Sequence, residues 1–389
     1  MIARIIFPII LAIILPEIYF DIYYLRRRYK YRFWRRLLWL LPGILMLVYS
    51  VALATIRNFV PDDLKLLNMY LALVGLLVGP KAVFALFSFL GRLWCKMTHS
   101  RHNWGNLIGF FACLFGVYVF VYGYTAGFRK LDVNHVDLEF ADLPDGFDGY
   151  RVVQFSDAHV GTFTGKRKKI LLRAVDSINA QKADAIVFTG DIQNIQPSEL
   201  YPLRGILSSL KAKDGVYSVL GNHDYSAYIK ADSAVKVFNE QEIISLERGF
   251  GWNLLLNEHR VLYRGKDSLV IAGEENEGVA PHPDKADLRK TLSSVAGGAF
   301  VVMLQHDPSA WRRTILPEST VQLTLSGHTH GGQLSLFGFR PTMLMMSEDK
   351  GLYEQSGRYL YVNAGLGGVV PFRFGMPSEI TVITLHKKK

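Results

Sequence analysis

The sequence predicts an α/β domain that follows a four-helix transmembrane region. Three observations predict it. The first third of the chain contains apolar runs long enough to cross a bilayer, and short β-branched runs alternate with helical stretches from about Phe128 onward. Five of those β-branched runs end in loops built from Asp, His, Asn and Gly.

Charge divides the 389 residues in the same place. Residues 1–126 hold fourteen Lys and Arg against four acids, while residues 127–389 hold thirty of each and are neutral. A half-apolar chain with a fifth of its residues charged is not disordered, and two cysteines cannot make a disulfide scaffold. A domain that tracks phosphates along a nucleic acid needs its own positive surplus, so nucleic acid is not expected as a partner. The lipid bilayer is.

The elements of the membrane region come in order. Leu37–Ile56 and Leu107–Ala126 are charge-free runs of 20 residues, about the length a helix needs to cross roughly 30 Å of hydrocarbon. Residues 66–90, broken only by Lys81, and residues 2–25, broken by Arg4, Glu17 and Asp21, read as the third and first spans. A cleaved signal peptide is the alternative for the first, but no small-residue cleavage site follows it. The loop Arg26–Arg36 carries seven bases and no acid, and Gly91–Asn106 carries Arg92, Lys96 and Arg101, so both are expected on the cytoplasmic face. Arg57–Lys65, where Asp62 and Asp63 offset two bases, suits the outer face. That topology puts everything after Ala126 on the periplasmic or extracellular side of a bacterial inner membrane.

Two charges lie inside spans. Glu17 and Lys81 each follow a proline, Pro16 and Pro80, and each falls about fifteen residues into a helix running inward. They are expected either to pair, with Asp21 able to share the lysine, or to snorkel separately to the interface.

Beyond a linker and first strand in residues 127–149, the domain of residues 150–389 reads as strands Tyr150–Ser156, Ala185–Thr189, Gly215–Leu220, Phe300–Gln305 and Val321–Ser326. Between the first two, Ile170, Leu171, Ala174, Val175 and Ile178 recur at helical spacing. Strands at Ser268–Ala272, Tyr359–Asn363 and Ile380–Leu385 lack intervening helices and bring antiparallel pairing. A sheet-on-sheet core with helices outside is the natural packing.

The loop after each strand carries the chemistry. The five runs lead in turn into Asp157-Ala158-His159, Gly190-Asp191, Gly221-Asn222-His223-Asp224, His306-Asp307 and Gly327-His328-Thr329-His330-Gly331-Gly332. Asp-x-His and Gly-Asp alone are compatible with ordinary turn chemistry, Gly-Asn-His-Asp after an apolar strand is more specific, and Gly-His-Thr-His-Gly-Gly more so, because two imidazoles two apart in a glycine-flanked loop have little structural use. Five in order, each at a strand end where α/β folds open their ligand crevice, point to one site. The remaining histidines, His99, His102, His135, His259, His282 and His386, lack such context and read as surface or interfacial. Imidazole, carboxylate and amide donors without cysteine suit Mn, Fe or Zn in a hydrolytic site. The donors suffice for two divalent ions, which about 3.5–4 Å apart activate water and stabilise both oxygens of a phosphoryl displacement.

The order D-x-H, GD, GNHD, H, GHTH resembles the calcineurin-like metallophosphoesterases, over about Asn134 to Leu385. The segments Leu143–Gly161, Gly327–Gln333 and Tyr361–Leu385 are similar to its membrane-associated bacterial branch. The resemblance implies a four-layer sandwich of two mixed sheets flanked by helices. It implies Asp157, His159, Asp191 and His330 on one ion, Asp191, Asn222, His306 and His328 on the other, and attack on phosphorus by a hydroxide between them. It further implies His223 as proton donor to the leaving oxygen and Asp224 as the group that orients it. Asn222 would also reach substrate. One departure is Asn194, where the family commonly has the second aspartate of GD-x-x-D. Arg373 is the candidate for a substrate-phosphate contact, with a turn-capping role as its alternative.

Position just after a fourth span, together with the resemblance, favours lipid-linked or cell-envelope phosphomonoesters or phosphodiesters as substrate. Two alternatives stand beside this: a nucleotide-sugar-lipid pyrophosphohydrolase of the lipid A synthesis type, which needs cytoplasmic access, and a non-catalytic metal-binding membrane sensor.

Overall fold

A computed structural model describes residues 2–61, 64–280 and 282–388, with the side chains of residues 2–5 excepted; Asp62, Asp63 and the Arg4 side chain, which enter the charge pattern of the membrane region, therefore lie outside the described residues. The chain divides into two compact units, Met1–Phe59 with Leu64–Tyr124, and Val60–Asp63 with Thr125–Lys389.

The first unit is four apolar helices, α1 (Ile6–Arg28), α2 (Phe33–Thr55), α3 (Lys65–Thr98) and α4 (Trp104–Tyr124), each long enough to span a membrane. They outrun the charge-free stretches because a helix continues wherever its backbone bonds close, whereas the sequence marks only its apolar middle. Lys81 forms an ion pair with Glu17, joining α1 to α3. Gly43 on α2 makes room for it, since a Cβ there would overlap the Glu17 carboxylate. Asp21 does not share the lysine. Its carboxylate instead accepts from Arg26 and Arg36 at 2.7–2.8 Å, toward the end of α1 where guanidinium groups are close at hand. The third and fourth spans approach backbone to backbone at Gly91 and Gly105, where any larger side chain would collide.

The second unit is a pair of mixed six-stranded sheets. One has the order β1 (Leu131–Phe140), β12 (Ser378–Lys387), β2 (Tyr150–Phe155), β3 (Ala185–Phe188), β4 (Val216–Ser218), β5 (Asn253–Leu254). The other runs β10 (Gly351–Gln355), β11 (Arg358–Val362), β9 (Leu323–Ser326), β8 (Phe300–Leu304), β7 (Asp267–Gly273), β6 (Glu258–Arg264). Residues 127–149, read from sequence as a linker and first strand, hold β1, which runs parallel to β12 in register from Leu131–Ser378 to Phe140–Lys387.

Period-two alternation builds the layers. Val152, Val187, Ile271, Val302 and Leu325 fill the space between the sheets. Their neighbours Val153, Ile186 and Phe188 face outward onto α5 (Lys168–Ala180) and α6 (Ser233–Gly249). On the other side Val270, Val301, Met303 and Leu360 pack against Trp311 and Ile315. The sequence of layers is helix, sheet, sheet, helix, as expected.

Within one sheet β2, β3 and β4 are mutually parallel, and within the other β7, β8 and β9 are. Their C-terminal loops therefore emerge at one edge of each sheet, and hydrogen bonds between those loops, such as His306 Nδ1 to the Thr189 carbonyl at 2.7 Å, join the two edges.

Candidate metal centre

The five strand-end loops meet. Three groups of donors lie within coordination reach of one another: Asp157, His159 and His330; His159, Asp191 and His223; and Asp157, Asp191 and His306. Asp191 is common ground. Its Oδ2 is 3.5 Å from His159 Nε2 and 3.3 Å from His306 Nε2, while its Oδ1 accepts the His223 main-chain N–H at 2.8 Å. Asp157 Oδ1 is 3.4 Å from His330 Nε2. Asn222 presents Oδ1 to His306 Nε2 at 3.1 Å and to His328 Nδ1 at 2.8 Å.

Main-chain carbonyls set the imidazole tautomers. His159, His223 and His306 direct Nδ1 at the carbonyls of Gln193, Asn194 and Thr189, at 3.1, 2.6 and 2.7 Å, so each Nδ1 donates its proton there and each Nε2 turns inward, as a lone pair on the neutral His159. The backbone is strained to do this. Asp157, His159, Asp191, His328 and His330 all adopt positive φ, between 41° and 73°, a region costly for residues with a Cβ. Two glycines allow the loops to close. A Cβ on Gly327 would overlap Ser156 Oγ and Asp157 Oδ2, and one on Gly221 would overlap Asp191.

Electrostatics show a site short of positive charge. Burial pushes the Asp157 carboxyl up to about 7, helped by the Asp191 charge. Burial also drives His159 down to about 3 and His328 to about 4, leaving neutral imidazoles. His306 moves the other way, to about 10, because the Asp191 and Asp157 charges outweigh its burial. Asp191 is held well below the usual carboxylate range, the positive charge on His306 overcoming desolvation. His159 Nε2 and His330 Nδ1 are buried with no hydrogen-bond partner among the described residues. Clustered carboxylates, inward lone pairs and orphaned imidazole nitrogens fit divalent cations, which would reverse this local balance.

Three sequence expectations are corrected. Asp224 does not orient the His223 ring: its carboxylate accepts the main-chain N–H groups of Asp191, Ile192, Gln193 and Gly221, at 2.8–3.2 Å, and so holds the Asp191 loop, while the Asn194 carbonyl orients His223. Arg373 does not face a substrate. It is 1% exposed, and its guanidinium donates to the carbonyls of Ala364, Gly365, Gly367, Met376 and Pro377, leaving no N–H for a phosphate. His282 is no stray surface histidine, because its ring meets that of His328 at 5.6 Å and its Nδ1 lies 2.9 Å from Tyr228 Oη.

Two supporting groups escaped the sequence reading. Glu199 accepts from the N–H groups of Asn194, Ile195 and Gln196, and Tyr228 Oη accepts from Asn222 Nδ2 at 2.7 Å. Both lie in polar loop sequence where nothing in the residue letters marks them out. Asn194 itself points its amide at the carbonyls of Gly368 and Val369, 3.3–3.4 Å away, not into the centre.

Comparisons with known proteins agree with this geometry. A family model described as calcineurin-like phosphoesterase matches residues 150–332, and one described as a probable calcineurin-like phosphoesterase transmembrane domain matches residues 3–128. The uncharacterized metallophosphoesterase YkuE of Bacillus subtilis is 34% identical over 252 residues, covering 62% of this chain and 81% of that protein. A transmembrane protein with metallophosphoesterase domain from Danio rerio is 30% identical, covering 69% of this chain and 60% of that protein, and an uncharacterized metallophosphoesterase of Aquifex aeolicus is 28% identical, covering 72% and 99%. The chain therefore belongs to the calcineurin-like metallophosphoesterases, hydrolases of phosphoester bonds, and joins that domain to a region of four membrane-spanning helices.

Proposed function

We propose that this metallophosphoesterase is binuclear and acts on lipid-linked or cell-envelope phosphoesters at the outer face of a bacterial inner membrane. The single observation that carries the two-ion reading is that the donor groups Asp157, His159, His330 and Asp157, Asp191, His306 share a carboxylate while Asn222 Oδ1 faces His306 and His328, so one set of side chains can serve adjacent ions. Asp157, His159, Asp191 and His330 would hold the first ion and Asp191, Asn222, His306 and His328 the second. When bound, two divalent cations, Mn, Fe or Zn, supply Lewis acidity toward water and toward a phosphoryl oxygen.

The chain's own groups do the rest. Asp191 turns one oxygen to both halves of the donor set while its other oxygen is held by the His223 N–H. His223, its Nδ1 engaged by the Asn194 carbonyl, keeps Nε2 for a proton exchanged with the leaving oxygen. Burial lowers its pKa, and an anionic phosphoester beside it acts in the opposite direction. Asp224 fixes the backbone from Asp191 to Gln193 and acts on His223 only through that loop.

The outward placement rests on the seven bases of the first loop and the three of the third. Manganese-loaded protein should hydrolyse bis(p-nitrophenyl) phosphate. The reading fails if wild type, Asn222→Ala and His223→Ala turn over equally slowly. A screen of lipid-linked, envelope and nucleotide-sugar-lipid phosphoesters then separates the substrate classes.

A further inference from the structure

We propose that Tyr228 is a positioning residue for the second metal site, and that His282 fixes the direction of its hydroxyl. The inference rests on the two-ion reading of the centre. Its starting point is an ambiguity in Asn222: the two ends of a carboxamide have nearly the same shape, yet only the oxygen can ligate a cation. Something must choose which end faces the centre.

The choice is made by a chain of three groups. Asn222 Nδ2 lies 2.7 Å from Tyr228 Oη, and Tyr228 Oη lies 2.9 Å from His282 Nδ1. A phenol has one proton. Given to His282 Nδ1, it leaves only lone pairs facing the amide, so the amide must present its N–H end to Tyr228 and its oxygen to His306 Nε2 and His328 Nδ1. Turned the other way, the amide nitrogen would face the centre and the ligand would be lost. Packing holds the chain in place: the Tyr228 ring lies 4.3 Å from the His223 ring, tilted by 35°, and the His282 ring stands edge-on to His328. Tyr228 is 9% exposed. These are the outer partners that orient a metal ligand, and losing one such partner costs about 10–100-fold in metal affinity.

The test is a Mn(II) titration of the full chain in detergent, followed by calorimetry and by electron paramagnetic resonance. Wild type should take up two ions and give an exchange-coupled spectrum. Tyr228→Phe should bind the first ion with unchanged affinity and the second about 10–100-fold more weakly, so that an uncoupled Mn(II) spectrum persists at two equivalents. His282→Leu should behave like Tyr228→Phe, whereas His282→Gln, whose amide oxygen can accept the phenol proton, should recover the second ion. Equal second-site affinity in wild type and Tyr228→Phe overturns the proposal, as does equal loss in His282→Leu and His282→Gln. Should Tyr228→Phe fail to fold, the two His282 variants decide alone. A wild type that binds a single ion overturns the two-ion reading itself, a result distinct from either.

Discussion

Asp191 combines a positive φ of 61°, two engaged oxygens and almost complete burial in one residue. Such strain persists only where its surroundings over-determine it, and here the surroundings are the four N–H bonds that Asp224 receives and the close approach of Gly221. Asp191→Asn removes the charge shared by both halves of the donor set. Metal content by mass spectrometry should fall and phosphodiesterase activity should drop at least 100-fold, more than is usual for loss of an outer partner, roughly 10–100-fold. His223→Ala should instead keep its metal and lose kcat by roughly 10²–10⁴-fold. At this scale the sequence showed which side chains have ligand chemistry, because Asp, His and Asn at strand ends have few other uses. It did not show which backbone groups need partners. The ring-orienting role of Asp224 and the substrate contact offered for Arg373 fail for that reason, and Arg373 takes its turn-capping alternative: both serve main-chain N–H and carbonyl groups that no residue letter reveals. His282 was missed because its partner lies 54 positions away, at Tyr228.

Among elements, the strands legible in sequence were those buried on both faces. Ala185–Phe188 and Phe300–Leu304 are continuous apolar runs because one face packs sheet on sheet and the other packs under helices. The two-residue β5 and the largely solvent-facing β6 carry no such pattern and were not anticipated. Nor was α6, whose exposed Val235, Val237 and Phe238 blur its apolar stripe. The loop elements yield two predictions. Gly327→Ala must push Ser156 or the Asp157 carboxylate aside, so the folded state should lose about 1–3 kcal/mol and the metal should bind more weakly, read by thermal melting with and without Mn. Arg373→Met leaves five carbonyls of the closing loop without their donor. A loss of about 3 kcal/mol or more is expected in melting, and a variant that melts like wild type but shows only a raised KM would restore Arg373 as a substrate contact.

For the whole molecule, the split between a basic apolar third and a neutral remainder was plain from charge counting, and the four spans, though not their full lengths, followed from apolar runs long enough to cross a bilayer. The pairing of Glu17 with Lys81 was one of two open outcomes, decided by Gly43, whose missing side chain admits the carboxylate. Lys81→Leu alone strands a carboxylate in the membrane region and should reduce the amount of inserted protein. Glu17→Gln/Lys81→Leu should restore it, and equal loss in both variants would show that the pair contributes nothing. A reporter fused after Lys389 should be active on the outer side of the membrane. Activity only on the cytoplasmic side would favour the nucleotide-sugar-lipid substrate class. The most direct measurement is anomalous X-ray scattering from crystals of the Mn-loaded chain. Two peaks flanking the Asp191 carboxylate, each within bonding distance of its own imidazoles, are the predicted result; a single peak, or none beside Asp191, would contradict the account.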